Sequence, residues 1–297
     1  MENLVEISRI LVLVDYSEYS ISACRYALNI ANKANASLAI FHAFHSPAYD
    51  LLEMTGNKST QNRLWDEVTA KLLQVEEKNL EVFLKKVFEQ KEWKGFLLSN
   101  IGKIIKPGLA KDEIQKYANE YEPNLVIMGI KGKDKRDNSI LGNTTEIAIK
   151  KLKYPVLAVP HNYTFAPENT VEKMLFLTEY DESDFMSIKG LMDFARLMNL
   201  SIFCLHIGSK AGKWEKLKMS GLSNYFKSTY KDIQVDCDIL TFEGNILQAI
   251  DSFINNNDIS IISLTTRKRN LLEKIVKPRS TNPLPYQLNI PLLVFHS

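Results

Sequence analysis

The feature that most constrains the fold of this chain is an internal repeat. Residues 9–17, Arg-Ile-Leu-Val-Leu-Val-Asp-Tyr-Ser, align with residues 173–181, Lys-Met-Leu-Phe-Leu-Thr-Glu-Tyr-Asp, at an offset of 164. Towards the end of each copy the offset is 136, which aligns residues 155–159 with residues 291–295. Because the two offsets differ by 28, the first copy carries that many extra residues. A chain of 297 residues can hold two domains of ordinary size, so the repeat predicts two copies of one folded unit.

Each copy alternates apolar runs with amphipathic segments. The apolar runs predict strands at 8–14, 37–43, 96–105, 124–129 and 155–159, and at 173–178, 201–206, 234–241, 259–264 and 291–295. Helices are predicted at 18–34, 62–91, 110–120, 143–152, 183–198, 211–228 and 245–256. This alternation predicts an α/β fold of two tandem doubly wound domains, each a five-stranded parallel sheet with helices on both faces. Ligands of such sheets bind beyond the carboxyl ends of the strands, where the strand order reverses.

Most of the extra residues of the first copy lie at 46–91. Within the helix predicted at 62–91, apolar residues recur at helical spacing from Leu64 to Val87. The pattern is typical of a helix packed on its own sheet. A helix that binds a partner protein would show the same pattern, so both hypotheses stay open.

A glycine loop between a strand and a helix is the motif that points most directly to chemistry. Gly129, Gly132 and Gly142 follow the apolar run at 125–128, and Lys131, Lys133, Lys135 and Arg136 lie among them. Asn143 can cap the next helix, with Glu146 three residues later as in a capping box. Glycines allow close backbone approach, and N–H groups at a helix start attract anions, so the loop predicts a phosphate cradle. Glycines also occur in such loops simply because turns need them.

The spacing of these glycines resembles the Gly-x2-Gly-x9-Gly-(Ser/Thr) signature of the universal stress protein family. Asn143 stands where the family has Ser or Thr, although Thr144 and Thr145 follow directly. The resemblance covers nearly the whole chain and implies a tandem pair of adenine nucleotide alpha hydrolase-like domains at 1–162 and 163–297. It also implies that the last strands, 155–159 and 291–295, pair across an approximate two-fold axis. One continuous sheet would argue against this arrangement.

The resemblance also implies a nucleotide site in the first copy. In the ATP-binding branch of the family, an aspartate at the position of Asp15, after Val14, lies beside the adenine and ribose, and Ala43 matches a residue of the base pocket. Residues matching the phosphate side are Met128, Gly129, Gly132, Gly142, Asn143, Thr144 and Thr145. The implied ligand is ATP, alone or with Mg²⁺. Asp15 could instead cap the helix that begins near Ser17, and His42, repeated as His206, is interpreted as a hydrogen-bonded structural residue.

The second copy lacks the cradle. Thr265, Lys268 and Pro278 replace the three glycines, and Glu179 replaces Asp15. Residues with a Cβ prevent close backbone approach to phosphates, so a single nucleotide site is expected, in the first copy. The basic run 267–269 is interpreted as a solvated loop, a weak anion site or a partner contact.

Composition excludes several classes of protein. The net charge of +2 gives no general attraction to nucleic acid, and no apolar run approaches the ~20 residues of a membrane span. Cys24, Cys204 and Cys237 are far apart and are expected to be reduced, buried apolar residues of a cytoplasmic protein. No secretory signal is recognised at the first residues.

No catalytic or metal-binding motif is recognised, so any enzymatic activity would be limited to slow hydrolysis of a bound nucleotide, with Mg²⁺ bridging its phosphates. The leading hypothesis is an ATP-binding regulatory protein of the stress response. The alternative is a scaffold that binds a protein partner and no nucleotide. In either case the chain is expected to form a pseudo-dimer of its own halves, alone or within a homodimer.

Overall fold

The apolar runs of the sequence form the strands of one large sheet. The computed structural model describes residues 7–46, 62–89, 101–131, 143–161, 163, 170–208, 210–266 and 289–296. The strands of the first half are β1 Arg9–Leu13, β2 Ser37–Phe44, β3 Ile101–Pro107, β4 Leu125–Gly129 and β5 Val156–Val159. Those of the second half are β6 Glu172–Thr178, β7 Leu200–Gly208, β8 Val235–Thr241, β9 Ile259–Thr265 and β10 Leu292–Phe295. The strand predicted at 96–105 therefore appears as β3, and residues 96–100 lie outside the described residues.

Seven helices occur among the described residues and connect these strands. They are α1 Glu18–Ala34, α2 Asn62–Val87, α3 Ala110–Tyr121, α4 Asn143–Lys151, α5 Glu182–Met198, α6 Lys213–Thr229 and α7 Ile246–Asn257. Buried side chains of α1, α2, α5 and α6 belong to one core cluster, and those of α3, α4 and α7 belong to another. Successive residues of β1 alternate between the two clusters, as expected of a sheet covered on both faces. The predicted α/β fold is confirmed.

The strand order identifies the two halves as copies of one topology. The ten strands lie in the order β3-β2-β1-β4-β5-β10-β9-β6-β7-β8. Each half therefore has its first strand between its second and its fourth, and all pairs within a half are parallel. The order reverses beside the first strand of each half, between β1 and β4 and between β6 and β9. These two places are the switch points of the fold.

Antiparallel pairing of β5 with β10 joins the halves. Leu292 pairs with Ala158, Leu293 with Leu157 and Val294 with Val156, and all six side chains are fully buried. The predicted pairing of the last strands is confirmed. The expectation that a continuous sheet would argue against the tandem arrangement was wrong, because this pairing by itself merges two five-stranded sheets into one.

The repeat extends to the backbone conformation of individual residues. Asn35 and Asn199 end α1 and α5 in the left-handed region, and Glu122 and Asp258 do the same for α3 and α7. The members of each pair are related by the two sequence offsets, 164 and 136. Neither pair uses glycine, and in each case the N–H of the left-handed residue donates to a carbonyl of the last helical turn.

The helix α2 contributes to the core through its C-terminal part. Leu80, Phe83, Leu84 and Val87 are buried among the residues of α1 and β3, whereas Val75 and Val82 are more than half exposed. The interpretation of this helix as part of the core is confirmed for residues 80–87. Earlier in the helix, Thr69 forms a side-chain hydrogen bond with Ser46, just after β2.

Truncation of Leu293 should test the contribution of the strand pairing. Leu293→Ala leaves a cavity between two strands of the buried sheet, so we expect the free energy of unfolding to fall by about 2–5 kcal/mol. The matched control is Leu217→Ala on α6, since Leu217 is 61% exposed, and its effect should stay within about 0.5 kcal/mol. Urea denaturation followed by circular dichroism measures both. Equal effects of the two substitutions would contradict a central role for the β5–β10 contact.

His296, just after β10, forms a second link between the halves and makes stability depend on pH. Its Nε2 donates to the carbonyl oxygen of Ile149 in α4, at 2.6 Å. Burial lowers the pKa of His296 below its usual value, so below about pH 6.5 the unfolded chain binds a proton that the folded protein resists. Stability should therefore fall as the pH drops below this value. Urea denaturation between about pH 5 and 8 should show a smaller fall for His296→Gln than for the unsubstituted protein. The same fall in both proteins would contradict this assignment.

Candidate functional site

The switch point of the first half lies at the carboxyl ends of β1 and β4. Val14 and Asp15 follow β1, and Met128 and Gly129 end β4. Because β1 and β4 are parallel neighbours, these residues share one edge of the sheet. Val14 and Met128 are buried, whereas Asp15 is half-buried.

Asp15 holds the loop between β1 and α1. Its Oδ1 accepts hydrogen bonds from the Ser17 N–H at 3.1 Å and from the Ser20 hydroxyl at 2.6 Å. Ser17, and not Asp15, is the N-cap of α1, because the Ser17 side chain accepts from the Ser20 N–H. The capping alternative for Asp15 is thus corrected: Ser17 is the cap, and Asp15 joins the loop to Ser20 in the first turn of α1.

His42 is a hydrogen-bonded structural residue, as predicted from its repetition as His206. Its Nδ1 donates to the Val14 carbonyl at 2.8 Å, and its ring lies 4.2 Å from the ring of Tyr16 between centroids. In the second half, His206 contacts the Thr178 carbonyl at 2.9 Å and the Tyr180 ring at 4.5 Å. Both tyrosines have φ of 62°, a left-handed conformation that is uncommon for a residue with a side chain.

The helix α2 reaches this edge of the sheet through Glu76. The Glu76 carboxylate lies 3.6 Å from Nε2 of His42, and the Tyr16 hydroxyl donates to the backbone carbonyl of Glu76 at 3.3 Å. Burial, together with the charge of Glu76, raises the pKa of Tyr16, so its hydroxyl stays protonated. Ala43 on β2 is partly buried against the core on the opposite face from His42.

Gly129 is required by helix packing whether or not a ligand binds. A Cβ at this position would lie 2.6 Å from the Cβ of Tyr19 and 2.9 Å from its carbonyl carbon. The glycine therefore lets α1 approach the end of β4. The Thr145 hydroxyl donates to the Gly129 carbonyl at 2.9 Å and is buried, so α4 is anchored to the same strand.

The remaining phosphate-side residues are only partly described. Thr144 is exposed, α4 begins at Asn143, and Glu146 pairs with Lys150 at 2.6 Å. The side chain of Asn143 lies outside the described residues, as do Gly132, Gly142 and the basic residues between them. The predicted cap by Asn143 therefore stays a prediction.

The switch point of the second half is closed by a buried carboxylate. Asp184, on α5, is 2% exposed and occupies the position of Ser20 in the repeat. Its Oδ2 accepts from the Thr178 hydroxyl and the Glu179 N–H, both at 2.8 Å. Its Oδ1 accepts from the Thr265 hydroxyl at 3.2 Å, and Thr265 occupies the position of Gly129. These bonds tie α5 to the ends of β6 and β9.

The described residues contain neither a metal-binding cluster nor a membrane-spanning helix. Among them, no group of three or more His, Cys, Asp or Glu side chains is arranged to hold a metal ion. Within the same part of the chain, no helix is long and apolar enough to cross a membrane.

Comparison with known proteins identifies the family. The family model described as the universal stress protein family matches residues 6–160, which is more than half of the chain. The chain belongs to the universal stress protein family. A universal stress protein of Methanocaldococcus jannaschii is 28% identical over 158 residues, covering 53% of this chain and 84% of the relative.

Solved structures extend the shared fold to the second half of this universal stress protein. A universal stress protein from Archaeoglobus fulgidus superposes with a TM-score of 0.65 at 16% identity, covering 98% of this chain and 97% of its own. A functionally unknown protein from Pseudomonas aeruginosa gives 0.55 at 14% identity, covering 98% and 92%. At these identities the likeness shows the fold alone, and it spans both halves.

Sequence reasoning missed Ser20, Glu76 and Asp184. The exchange of Ser20 for Asp184 was detectable, because the offset that aligns residues 9–17 with residues 173–181 continues into the first turn of the helices. Glu76 could not be found in this way, since neither of the two sequence offsets extends into the helix that carries it.

Removal of the buried carboxylate should destabilise the second half. Asp184→Ala leaves the donors of Thr178, Glu179 and Thr265 without their acceptor, and an unsatisfied buried donor costs about 1–3 kcal/mol. We expect the free energy of unfolding to fall by at least that amount. Asp251→Ala, at an exposed position of α7, is the matched control and should change it by less than about 0.5 kcal/mol. Urea denaturation distinguishes the two, and a neutral Asp184→Ala would contradict the closing role.

Proposed function

We propose that this universal stress protein is a cytoplasmic regulatory protein that binds ATP at the switch point of its first half. In this proposal, nucleotide occupancy changes the conformation or the association of the chain in a stress response. The observation that carries the proposal is the contrast between the two switch points. Asp184 and Thr265 bridge the carboxyl ends of β6 and β9, whereas the first half has Ser20 and Gly129 at these positions, and Ser20 bonds instead to Asp15.

The residues of the first half suit the two ends of a nucleotide. On the base side, Asp15 supplies a half-buried carboxylate that can accept from amino or hydroxyl groups, with Val14 and Ala43 as apolar neighbours. On the phosphate side, the first N–H groups of α4 have no partner within the helix, and a helix start favours anions. Asn143 and Thr144 contribute such groups, and Gly132 and Gly142 allow the backbone to come close to phosphate.

Thr145, Gly129 and Met128 are assigned positioning roles in this site. The Thr145 hydroxyl uses its proton on the Gly129 carbonyl, so it can accept a hydrogen bond but not donate one to a phosphate. Buried Met128 fixes the end of β4 in the core. Mg²⁺ would bridge phosphate oxygens, because the proposal supplies only one carboxylate, Asp15, and Mg²⁺ commonly keeps several waters.

A scaffold function is the second candidate, and exposed apolar side chains favour it. Met186 on α5 and Trp214 and Leu217 on α6 are each more than 60% exposed. Single exposed apolar residues are ordinary, but three on two consecutive helices of one half are compatible with association with another protein. In this alternative the glycine loop after β4 contributes to folding and binds no ligand.

Titration calorimetry with Mg-ATP tests the proposal. The full-length protein should bind about one nucleotide per chain, because only the first half keeps the glycine spacing. Gly132→Val should raise the Kd beyond about 1 mM by blocking the approach of phosphate. The matched control is Lys268→Val, since Lys268 occupies the same position of the second half, and it should leave the affinity unchanged. If the unsubstituted protein shows no saturable binding at millimolar ATP, the scaffold function replaces the nucleotide site.

A further inference from the structure

Cys204 and Cys237 face each other across two neighbouring strands of the second half. Cys204 lies in β7 and Cys237 in β8, and they are partners in the parallel register. Neighbouring strands are about 4.7–4.9 Å apart, and registered residues of parallel strands direct their side chains to the same face. Disulfide-bonded cysteines have Cα atoms about 4.4–6.8 Å apart. The backbone therefore already has the spacing that a disulfide needs, although neither cysteine forms a disulfide in this structure.

The two thiols differ in their access to solvent. Cys204 is 1% exposed inside the core, whereas Cys237 is half-buried, which corrects the expectation that all three cysteines are buried. Cys237 lines a cavity of about 340 Å³ at the edge of the sheet, together with Ser223 and Lys227 of α6. Cys237 is therefore open to a small solute such as a hydroperoxide, whereas Cys204 does not line the cavity.

The surroundings of Cys237 favour its thiolate. A hydrogen bond from the Cys204 thiol lowers the pKa of Cys237 most, and a hydrogen bond from Ser223 and the charge of Lys227 lower it further. Burial and the carboxylate of Asp236 oppose this effect but do not cancel it. The thiolate is the nucleophilic form of cysteine, and reactive cysteines are typically found beside a cation and in partial contact with solvent.

We propose that Cys237 and Cys204 form a peroxide-reactive dithiol, in which Cys237 is the attacking thiolate and Cys204 the resolving thiol. The Cys237 sulfur attacks one oxygen of a hydroperoxide, the O–O bond breaks, and the leaving hydroxide or alkoxide takes up a proton from water. This step oxidises the thiolate to a sulfenic acid and reduces the peroxide. The Cys204 sulfur then attacks the sulfenic sulfur, an S–S bond forms, and the sulfenic hydroxyl leaves with the Cys204 proton as water.

Two other positions of the chain serve as internal controls. Cys24 is fully buried in α1, and burial raises the pKa of its thiol, so it lacks both access and thiolate character. In the first half, Ile40 stands at the position of Cys204 and pairs with Lys103, so the dithiol belongs to the second half alone. The proposal is independent of nucleotide binding, because these strands lie in the other half of the sheet.

Oxidation of the full-length folded protein tests the proposal. The reduced protein is treated with hydrogen peroxide, quenched by alkylation in denaturant so that every remaining thiol reacts, and analysed by intact mass and by non-reducing peptide mapping. We expect loss of two hydrogens per chain and a linked pair of peptides that contain Cys204 and Cys237. Cys24 should be alkylated throughout, and its own oxidation should be at least about tenfold slower than that of Cys237. An intermolecular disulfide, or equal oxidation of Cys24, would overturn the proposal.

Three variants separate the roles of the residues. Cys204→Ser should stop the reaction at a sulfenic acid on Cys237 that dimedone traps, since no resolving thiol remains. Lys227→Gln should slow the oxidation of Cys237 because the charge that favours its thiolate is gone. Cys24→Ser, the matched control, should form the same disulfide at the same rate as the unsubstituted protein. A Cys204→Ser protein that accumulates no sulfenic acid, or a Lys227→Gln protein oxidised at the original rate, would count against the mechanism.

Discussion

The contact on which the rest of the molecule depends is the antiparallel pairing of β5 with β10. Taken alone, each half would be an open sheet. Its last strand, which has buried apolar side chains, would then leave a row of backbone groups unpaired on one side. Such an edge invites pairing with another chain unless it is covered. Here each half covers the edge of the other, and the contact between α1 and α5 extends the joint to one face of the sheet. The pairing thus gives the second half a structural role that does not depend on its switch point.

The two switch points differ in the position of a carboxylate. In the first half the carboxylate is on the loop, at Asp15, and accepts from Ser20 on the helix. In the second half it is on the helix, at Asp184, and accepts from the threonines that end β6 and β9. The same kind of hydrogen bond holds the loop in both halves. In the second half, however, it also crosses the switch point to the end of β9, the fourth strand of that half.

The fold was largely predictable because it depends on periodicity and repetition. Strands such as β1 and β4 are short apolar runs bounded by polar residues, and the repeat supplied the second copy of each. The structural role of His42 was predictable for the same reason, since His206 repeats it. The contact of Gly129 with Tyr19 was not, because it depends on how closely α1 packs on β4, which no local pattern encodes. The pairing of Cys204 with Cys237 needs the register of β7 against β8, which is set by the packing of the whole half.

The single antiparallel contact also determines where the two switch points lie. All pairs within a half are parallel, so the strands of the first half run opposite to those of the second. The carboxyl ends of β1 and β4 therefore lie at one margin of the sheet, and those of β6 and β9 lie at the opposite margin. The molecule has two poles of different chemistry, one with an aspartate loop and a glycine, the other sealed by Asp184. A small ligand at one pole does not contact the other, so coupling between the two would run through the strands and helices that separate them.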